Sequence, residues 1–386
     1  MRIALGMITR ALNSAAPLLR FIESAEKYGH TLDAVIATHS LGLCPRAAAE
    51  ISEKAPFYAI DLQDPLPRIR QLKRLGVSES SAAALVNCPD TKGCGLVPYG
   101  INRNAVIIEA LLKEVDIIVF ADTDVYPYVI TMKDGQPFLE EIDFFGCHLK
   151  YLSAGSQITT SEYSGFNILP PAEFEGMDNL LLGLRKGEMR DFWKGSMDHH
   201  CLITQPQSVS PCSCTKVLGG NAGFWLSAFS ALPPFFSSFY TDGEEFFLAR
   251  GEDTGLSPSI IPSNTVCTDI KTYIYHDTYD GFINAPDLKN DVVTQKRFYY
   301  ACTGWIGRNP FISALLREDE RETRDFQRAH LSVGSTSLAD YTSNPIFNTL
   351  VEKFDISWDS IERYKGEYER VQEAWSEFKL YLMNYL

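Results

Sequence analysis

No stretch of the sequence stays apolar for the roughly 18 residues that a bilayer-spanning helix needs. The opening, MRIALGMITRALNS, holds only a short apolar run before Thr9 and Arg10, so no secretory leader is expected. Positive charge is scarce: 35 Lys and Arg stand against 49 Asp and Glu, for a net charge of -14. A protein that grips duplex nucleic acid carries a basic face, and this balance argues against one. It leaves room for an anionic ligand, because a divalent cation can supply positive charge locally. Cysteines number nine, an odd count spread from Cys44 to Cys302, which does not suit a secreted disulfide framework. The expectation is a cytoplasmic protein without an integral membrane segment.

What is present alternates. RIALGMI reads as a strand, SAAPLLRFIESAEKYG as a helix ending at Gly29, LDAVIATHS as a strand, CPRAAAEISEKA as a helix and FYAIDLQ as a strand. After a looser stretch, GINRNAVIIEALLKEV makes an amphipathic helix ahead of the strand DIIVFA. Strands alternating with helices of this length imply βαβ units, an α/β class and a mainly parallel sheet. Residues 126–215 are less regular and read as an insertion at the sheet's binding edge, with MDNLLLGLRKGEMRDFWKG as a helix inside it. Residues 286–386 read as a mainly helical C-terminal region. There Ile361, Tyr364, Tyr368, Val371, Trp375, Phe378 and Leu382 alternate spacings of three and four, a heptad seam. Such a seam either packs on the chain's own domain or joins a homo-oligomer.

The strand DIIVFA ends in Asp122-Thr123-Asp124. Two carboxylates one residue apart repel each other unless something positive sits between them, and a hard divalent cation bridging to a diphosphate would do so. Ligands of such sheets bind at the carboxyl ends of the strands, where this pair lies. Downstream, LGGNAGFW puts Gly219, Gly220 and Asn221 ahead of an apolar run, where backbone can approach a ligand closely or simply make a tight turn. Glu252-Asp253 in LARGEDTGL is an acidic pair that would equally serve as a helix cap. His276 ends the β-rich run TYIYH.

Taken in order, these pieces resemble the GT-A fold of nucleotide-diphospho-sugar glycosyltransferases, with a DxD site, a glycine-rich loop, an xED motif and a C-terminal histidine. GINRNAVIIEALL is similar to the segment that carries an Arg-Asn pair ahead of the DxD strand in family-2 members. The resemblance spans residues 1–285. It implies that Asp124 and His276 hold Mn2+ or Mg2+ against the donor diphosphate, with Asp122 on the ribose or on the metal's water shell. It places Thr9, Arg10, Arg103 and Asn104 near a UDP- or GDP-sugar, with Glu252 beside the donor. Gly220 and Asn221 would line the sugar and acceptor side. In inverting members the second acid of xED is the general base, which would be Asp253 acting on a hydroxyl acceptor.

Two departures bear on these expectations. The second strand ends ATHS, without the acid that many family-2 members use to read the nucleotide, and Pro258 and Pro262 shorten the helix that follows xED. A retaining transferase, or a silent scaffold of the same fold, are the alternatives. His199, His200, Cys201, Cys212 and Cys214 match no standard zinc spacing and read as ordinary loop residues.

Overall fold

The computed structural model describes residues 1–89, 93–166, 169–190 and 210–385. Its first strands are β1 (Ile3–Met7), β2 (Ala34–His39), β3 (Phe57–Asp61), β4 (Ile117–Ala121), β5 (Val125–Lys133), β6 (Gln136–Glu141) and β7 (Ile158–Thr160). Then follow β8 (Tyr163–Ser164), β9 (Cys212–Ser213), β10 (Asn221–Trp225), β11 (Phe239–Asp242), β12 (Glu245–Leu248), β13 (Cys267–Asp269) and β14 (Ile274–His276). The helices up to the acidic motif are α1 (Ala16–Lys27), α2 (Pro45–Ser52), α3 (Leu66–Arg74), α4 (Glu79–Val86), α5 (Tyr99–Leu112), α6 (Phe144–Ser153) and α7 (Met177–Gly183). Beyond it lie α8 (Ser257–Ile260), α9 (Val292–Leu315), α10 (Glu320–Thr342), α11 (Leu350–Asp359) and α12 (Ile361–Tyr385). None of the described helices is long and apolar enough to cross a membrane.

The main sheet runs β3-β2-β1-β4-β10-β7-β13-β9. Its first four strands are parallel, and β10 lies antiparallel between β4 and β7. β1 and β4 are buried throughout, as their unbroken apolar runs demand of central strands covered on both faces. Their side chains divide by the pleat: Ile118 and Phe120 join the core beneath α4 and α5, while Ile117, Val119 and Ala121 join the core beneath α1 and α6. The chain builds β1, β2 and β3 outward on one side, then crosses back to lay β4 on the other side of β1. That reversal opens a crevice at the carboxyl ends of β1 and β4, where Thr9-Arg10 and Asp122 emerge.

Several boundaries differ from the sequence reading. The looser stretch after β3 contains α3 and α4, the second capped where the Ser78 side chain accepts from the Ser81 N–H. The helix expected over MDNLLLGLRKGEMRDFWKG closes at Gly183, and Arg185 takes a positive φ. Residues 126–215 are more than an insertion, because β7 and β9 enter the main sheet. From the same region β5, β6 and β8 pair with β14 in a second, four-stranded sheet.

The helical C-terminal extension is present and shares its core with the rest of the chain. Leu180 of α7 packs in one cluster with Phe298 and Trp305 of α9, Leu331 of α10 and Phe354 of α11. The described part of the heptad seam packs on the chain's own domain. Tyr364, Trp375 and Phe378 are buried, and the Trp375 ring lies 6.2 Å from Phe229 in the core that also holds Leu85 of α4. The chain's own core covers the described seam. The Leu382 side chain, and His199, His200 and Cys201, lie outside the described residues.

The crossing of α7 and α10 depends on two glycines. A methyl group on Gly334 would collide with the Leu180 backbone, and one on Gly183 would sit 2.5 Å from the Leu331 nitrogen. Helix propensity favours alanine over glycine by about 1 kcal/mol, but overpacking costs about 1–3 kcal/mol when backbone must move. Gly334→Ala is therefore expected to destabilise in thermal unfolding, whereas Gly366→Ala in α12, with nothing near the new methyl, stabilises. Equal shifts for the two would contradict the close crossing.

Candidate active site

Arg103 is the centre of the site. It lies inside α5, only 3 % exposed, under the carboxyl end of β4. Its Nε donates to Glu252 Oε1 at 2.7 Å and its Nη2 to Asp122 Oδ1 at 3.1 Å, while its guanidinium lies 4.9 Å from the centre of the Phe120 ring. Burial works against its charge, but Glu252 and then Asp122 outweigh burial and hold the guanidinium charged. Burial is also the largest influence on Glu252, followed by the neighbouring Asp253 charge, and together they raise its carboxyl against the pull of Arg103. Nη1 of Arg103 is buried with no hydrogen-bond partner among the described residues.

The glycine-rich loop closes over this pair. A Cβ on Gly219 would meet Arg103 Nη2 at 2.5 Å, and one on Gly220 would overlap the Asp122 carboxylate. Only glycine lets the loop lie this close. Asp253 joins the loop from the other side: its Oδ2 accepts the Gly219 N–H at 2.7 Å and its Oδ1 the Thr254 N–H at 2.7 Å. Asp253 thus caps a short 3-10 turn, Thr254–Leu256, which runs into the single turn of α8 with Pro258 in it.

Asp124 and His276 meet because β14 pairs antiparallel with β5, setting His276 opposite Val125. His276 Nε2 lies 3.7 Å from Asp124 Oδ1, and Thr278 Oγ1 bonds Nδ1 at 2.9 Å. The turn itself is pinned. Asp277 N–H donates to the Asp124 carbonyl at 2.8 Å, and Arg20 donates to the carbonyls of Thr123 and Val125. No group of three or more His, Cys, Asp or Glu side chains suited to a metal converges among the described residues. Asp124 and His276 offer two donors, with Nε2 toward Asp124 and Nδ1 bonded to Thr278. That pair fits a cation which takes the rest of its shell from water and ligand oxygens. Asp122 Oδ1 accepts from Arg103, which leaves its other oxygen outside that bond.

Thr9 and Arg10 sit at the carboxyl end of β1 on the same sheet edge. Thr9 N–H reaches Thr38 Oγ1 at 3.4 Å, Arg10 donates to the Cys94 carbonyl, and the Arg10 carbonyl receives the Ser40 and Leu41 N–H groups. Asn104 exchanges both amide bonds with the Phe235 backbone at 2.9 Å. Asn221 donates to the carbonyls of Ser161, Glu162 and Thr272 and receives His148 Nε2 at 3.1 Å. Asn104 thus pairs donor and acceptor with one backbone edge, and the Asn221 amide NH2 ties three backbone carbonyls together.

His148 is fully buried, with its other nitrogen 2.8 Å from Thr159 Oγ1. Burial lowers its pKa from 6.5 to about 4, against the Asn221 bond that raises it. Its folded pKa lies below the unfolded value, so the imidazole contributes full stability above about pH 6.5 and loses it as pH falls toward 4. The difference is roughly 3 kcal/mol. Urea unfolding from pH 7 to pH 4 should show that decline, and His148→Gln should flatten it.

Three cations and an aromatic residue near the acidic motifs escaped the sequence reading: Lys186, Arg250, Arg308 and Tyr163. They lie in four distant segments with no shared spacing, so no local pattern marked them. Tyr163 sits edge-on to His276 at 4.8 Å, and burial, then the charge of Asp122, keeps its hydroxyl protonated.

No protein-family model matches the sequence, and no curated protein matches it. Among solved structures, glucosyl-3-phosphoglycerate synthase from Mycobacterium tuberculosis with Mn2+, UDP-glucose and phosphoglyceric acid is similar at 14 % identity and TM-score 0.40, over 82 % of this chain and 80 % of that one. The same enzyme with Mg2+ and UDP gives 15 % identity and TM-score 0.40 over 82 % and 80 %. A mycobacterial protein gives 12 % identity and TM-score 0.40 over 82 % and 75 %. A likeness this loose leaves the chemistry to the site's own residues.

Proposed function

We propose that the chain is a GT-A-type glycosyltransferase that moves a sugar from a nucleoside-diphosphate sugar to a hydroxyl acceptor. One observation carries the reading: Arg103, Asp122, Asp124, the 219–220 loop, Glu252-Asp253 and His276, far apart in sequence, gather at the switch point beside β1 and β4. The nucleotide lies along the Thr9-Arg10 edge, and its diphosphate reaches the strand end. The Nη1 of Arg103, which has no hydrogen-bond partner among the described residues, is a spare donor close to that strand end. Asp124 and His276 would hold Mn2+ or Mg2+, which when bound offsets negative charge on the diphosphate.

Glu252 keeps Arg103 oriented, and Arg103 in turn fixes Asp122 against the glycine loop. Asp253, at the far side of that loop, receives the acceptor's hydroxyl proton as the new glycosidic bond forms and the bond from sugar carbon to diphosphate oxygen breaks. Each carboxylate oxygen keeps lone-pair capacity beyond the backbone bond it accepts. Inversion follows from a base on the acceptor side. The retaining alternative draws on a specific observation, that both Asp253 oxygens already accept backbone N–H bonds, one from Thr254 and one from Gly219. The NMR anomer of the product separates the two.

The general test is a panel of UDP-, GDP- and dTDP-sugars with Mn2+ or with EDTA, read as released nucleotide and as thermal shift. Release with at least one donor, abolished by EDTA, is expected. Silence across the panel, or release indifferent to EDTA, would count against the proposal.

A further inference from the structure

Lys186, Arg250 and Arg308 form a cationic cluster in a chain whose net charge is -14. Arg308 projects from α9 across the loop that carries the acidic motif. A Cβ on Gly251 would meet its Cδ at 2.7 Å and its Nη1 at 3.2 Å. One turn earlier on the same helix, Trp305 lies under the Lys186 ammonium, 5.3 Å from the ring centre. Arg250 lies against Gly304, one turn before Arg308, and within 5.8 Å of the Tyr300 ring. Three separate segments therefore bring their cations together along α9 and the acidic loop.

Among the described residues their charge is only partly compensated. Neither Arg250 nor Arg308 makes an ion pair with a described residue, and Arg308 Nε is buried with no hydrogen-bond partner among the described residues. Lys186 has one carboxylate, Glu188 at 3.7 Å, and Glu188 is 68 % exposed. Arg185, the next cation along the chain, is already taken by Glu318 at 2.5 Å. Half-buried charges without an ion-pair partner among the described residues carry a desolvation cost that a bound anion would offset. Burial, and next the Arg308 charge, bring the Lys186 ammonium down to about 8, which marks the strain of holding like charges together.

The position identifies the anion. Arg308 lies against Gly251, two residues before Asp253, the base of the proposed acceptor side, and Lys186 lies over Trp305 one helical turn away. We infer that Lys186 and Arg308, with Arg250 behind them, form a subsite for an oxyanion on the acceptor, so that the sugar is delivered to a hydroxyl compound bearing a phosphate or carboxylate group. The oxyanion site stands on the cluster alone. Its assignment to the acceptor rests on the glycosyl-transfer reading above.

The test titrates the full chain by calorimetry with inorganic phosphate, and separately with acetate, in saturating UDP and Mg2+. UDP with Mg2+ is titrated alone as the donor control. Loss of one charge-assisted contact corresponds to roughly 10- to 100-fold in affinity. Arg308→Gln and Lys186→Gln should each weaken phosphate or acetate by that factor and leave UDP affinity unchanged. The stronger of the two ligands names the group. Lys186→Gln, in a loop, keeps the test alive where Arg308→Gln fails to fold. Failure of the wild type to bind either anion, equal binding by both variants, or a matching loss of UDP affinity would overturn the subsite. Anion loss in the variants with no UDP binding in the wild type keeps the subsite and sinks the glycosyl-transfer reading.

Discussion

Asparagine in place of Asp253 is expected to slow sugar transfer by roughly 10²–10⁴-fold, the usual worth of a positioned general base, with donor affinity nearly unchanged. The substitution keeps size and shape, and it keeps one of the two backbone bonds that Asp253 accepts from Gly219 and Thr254. Turning the new amide NH2 toward the other N–H costs about 1 kcal/mol, a modest loss of stability. The cap reading and the base reading therefore part company. A cap alone predicts that slight destabilisation with near-normal turnover. A base predicts a folded, donor-binding protein that barely turns over. Single-turnover rates with the responding nucleotide sugar, alongside UDP binding of the same preparation, decide between them. Near-normal turnover removes Asp253 from the mechanism.

Arg103→Ala is expected to cost about 3–5 kcal/mol of stability, because it strands the buried Glu252 carboxylate without its partner. Asp122, 31 % exposed on its side chain, can fall back on water and contributes less. The variant also loses the guanidinium's packing on Phe120 and is expected to lose nucleotide-sugar binding. Lysine is a poor substitute, since a single ammonium cannot span Glu252 and Asp122 as the planar fork does. The diagnostic is the double substitution Arg103→Met with Glu252→Met. Removing both charges leaves neither one buried alone, so urea unfolding should recover most of the stability lost by the single change. Binding should stay lost. A double variant as unstable as the sum of the singles would mean that Arg103 acts through packing instead of charge.

Much of the fold could be read locally. β1 and β4 are runs of apolar residues too short for helices and bounded by polar ones, and α1 and α5 carry an apolar stripe at helical spacing. Such signals depend on neighbours within a few residues, which a sequence shows directly. The carboxylate pair at the end of β4 was legible for the same reason, because the liability of Asp122 and Asp124 is local. The heptad seam of α12 was legible too, but its partner was not. Spacing identifies a face, and only the packing of Trp375 and Phe378 into the core with Phe229 shows what covers it.

The tertiary structure decided what each polar residue does. Asn104 and Asn221 look like ligand contacts by position, and each bonds backbone supplied by a segment far away in sequence. Asp122 looks like a metal ligand, and one of its oxygens is held by Arg103, a pairing set by α5 passing beneath β4. The cations around Asp253 had no spacing to reveal them. Lys186, Arg250 and Arg308 belong to separate segments that converge only because α9 packs across the acidic loop. By itself the sequence determined an α/β sheet with acidic residues at a strand end, because strand burial and charge repulsion act over a few residues. Which charges neutralise which was left to the tertiary structure, because Coulomb energy depends on distance in space, and chain order does not set that distance.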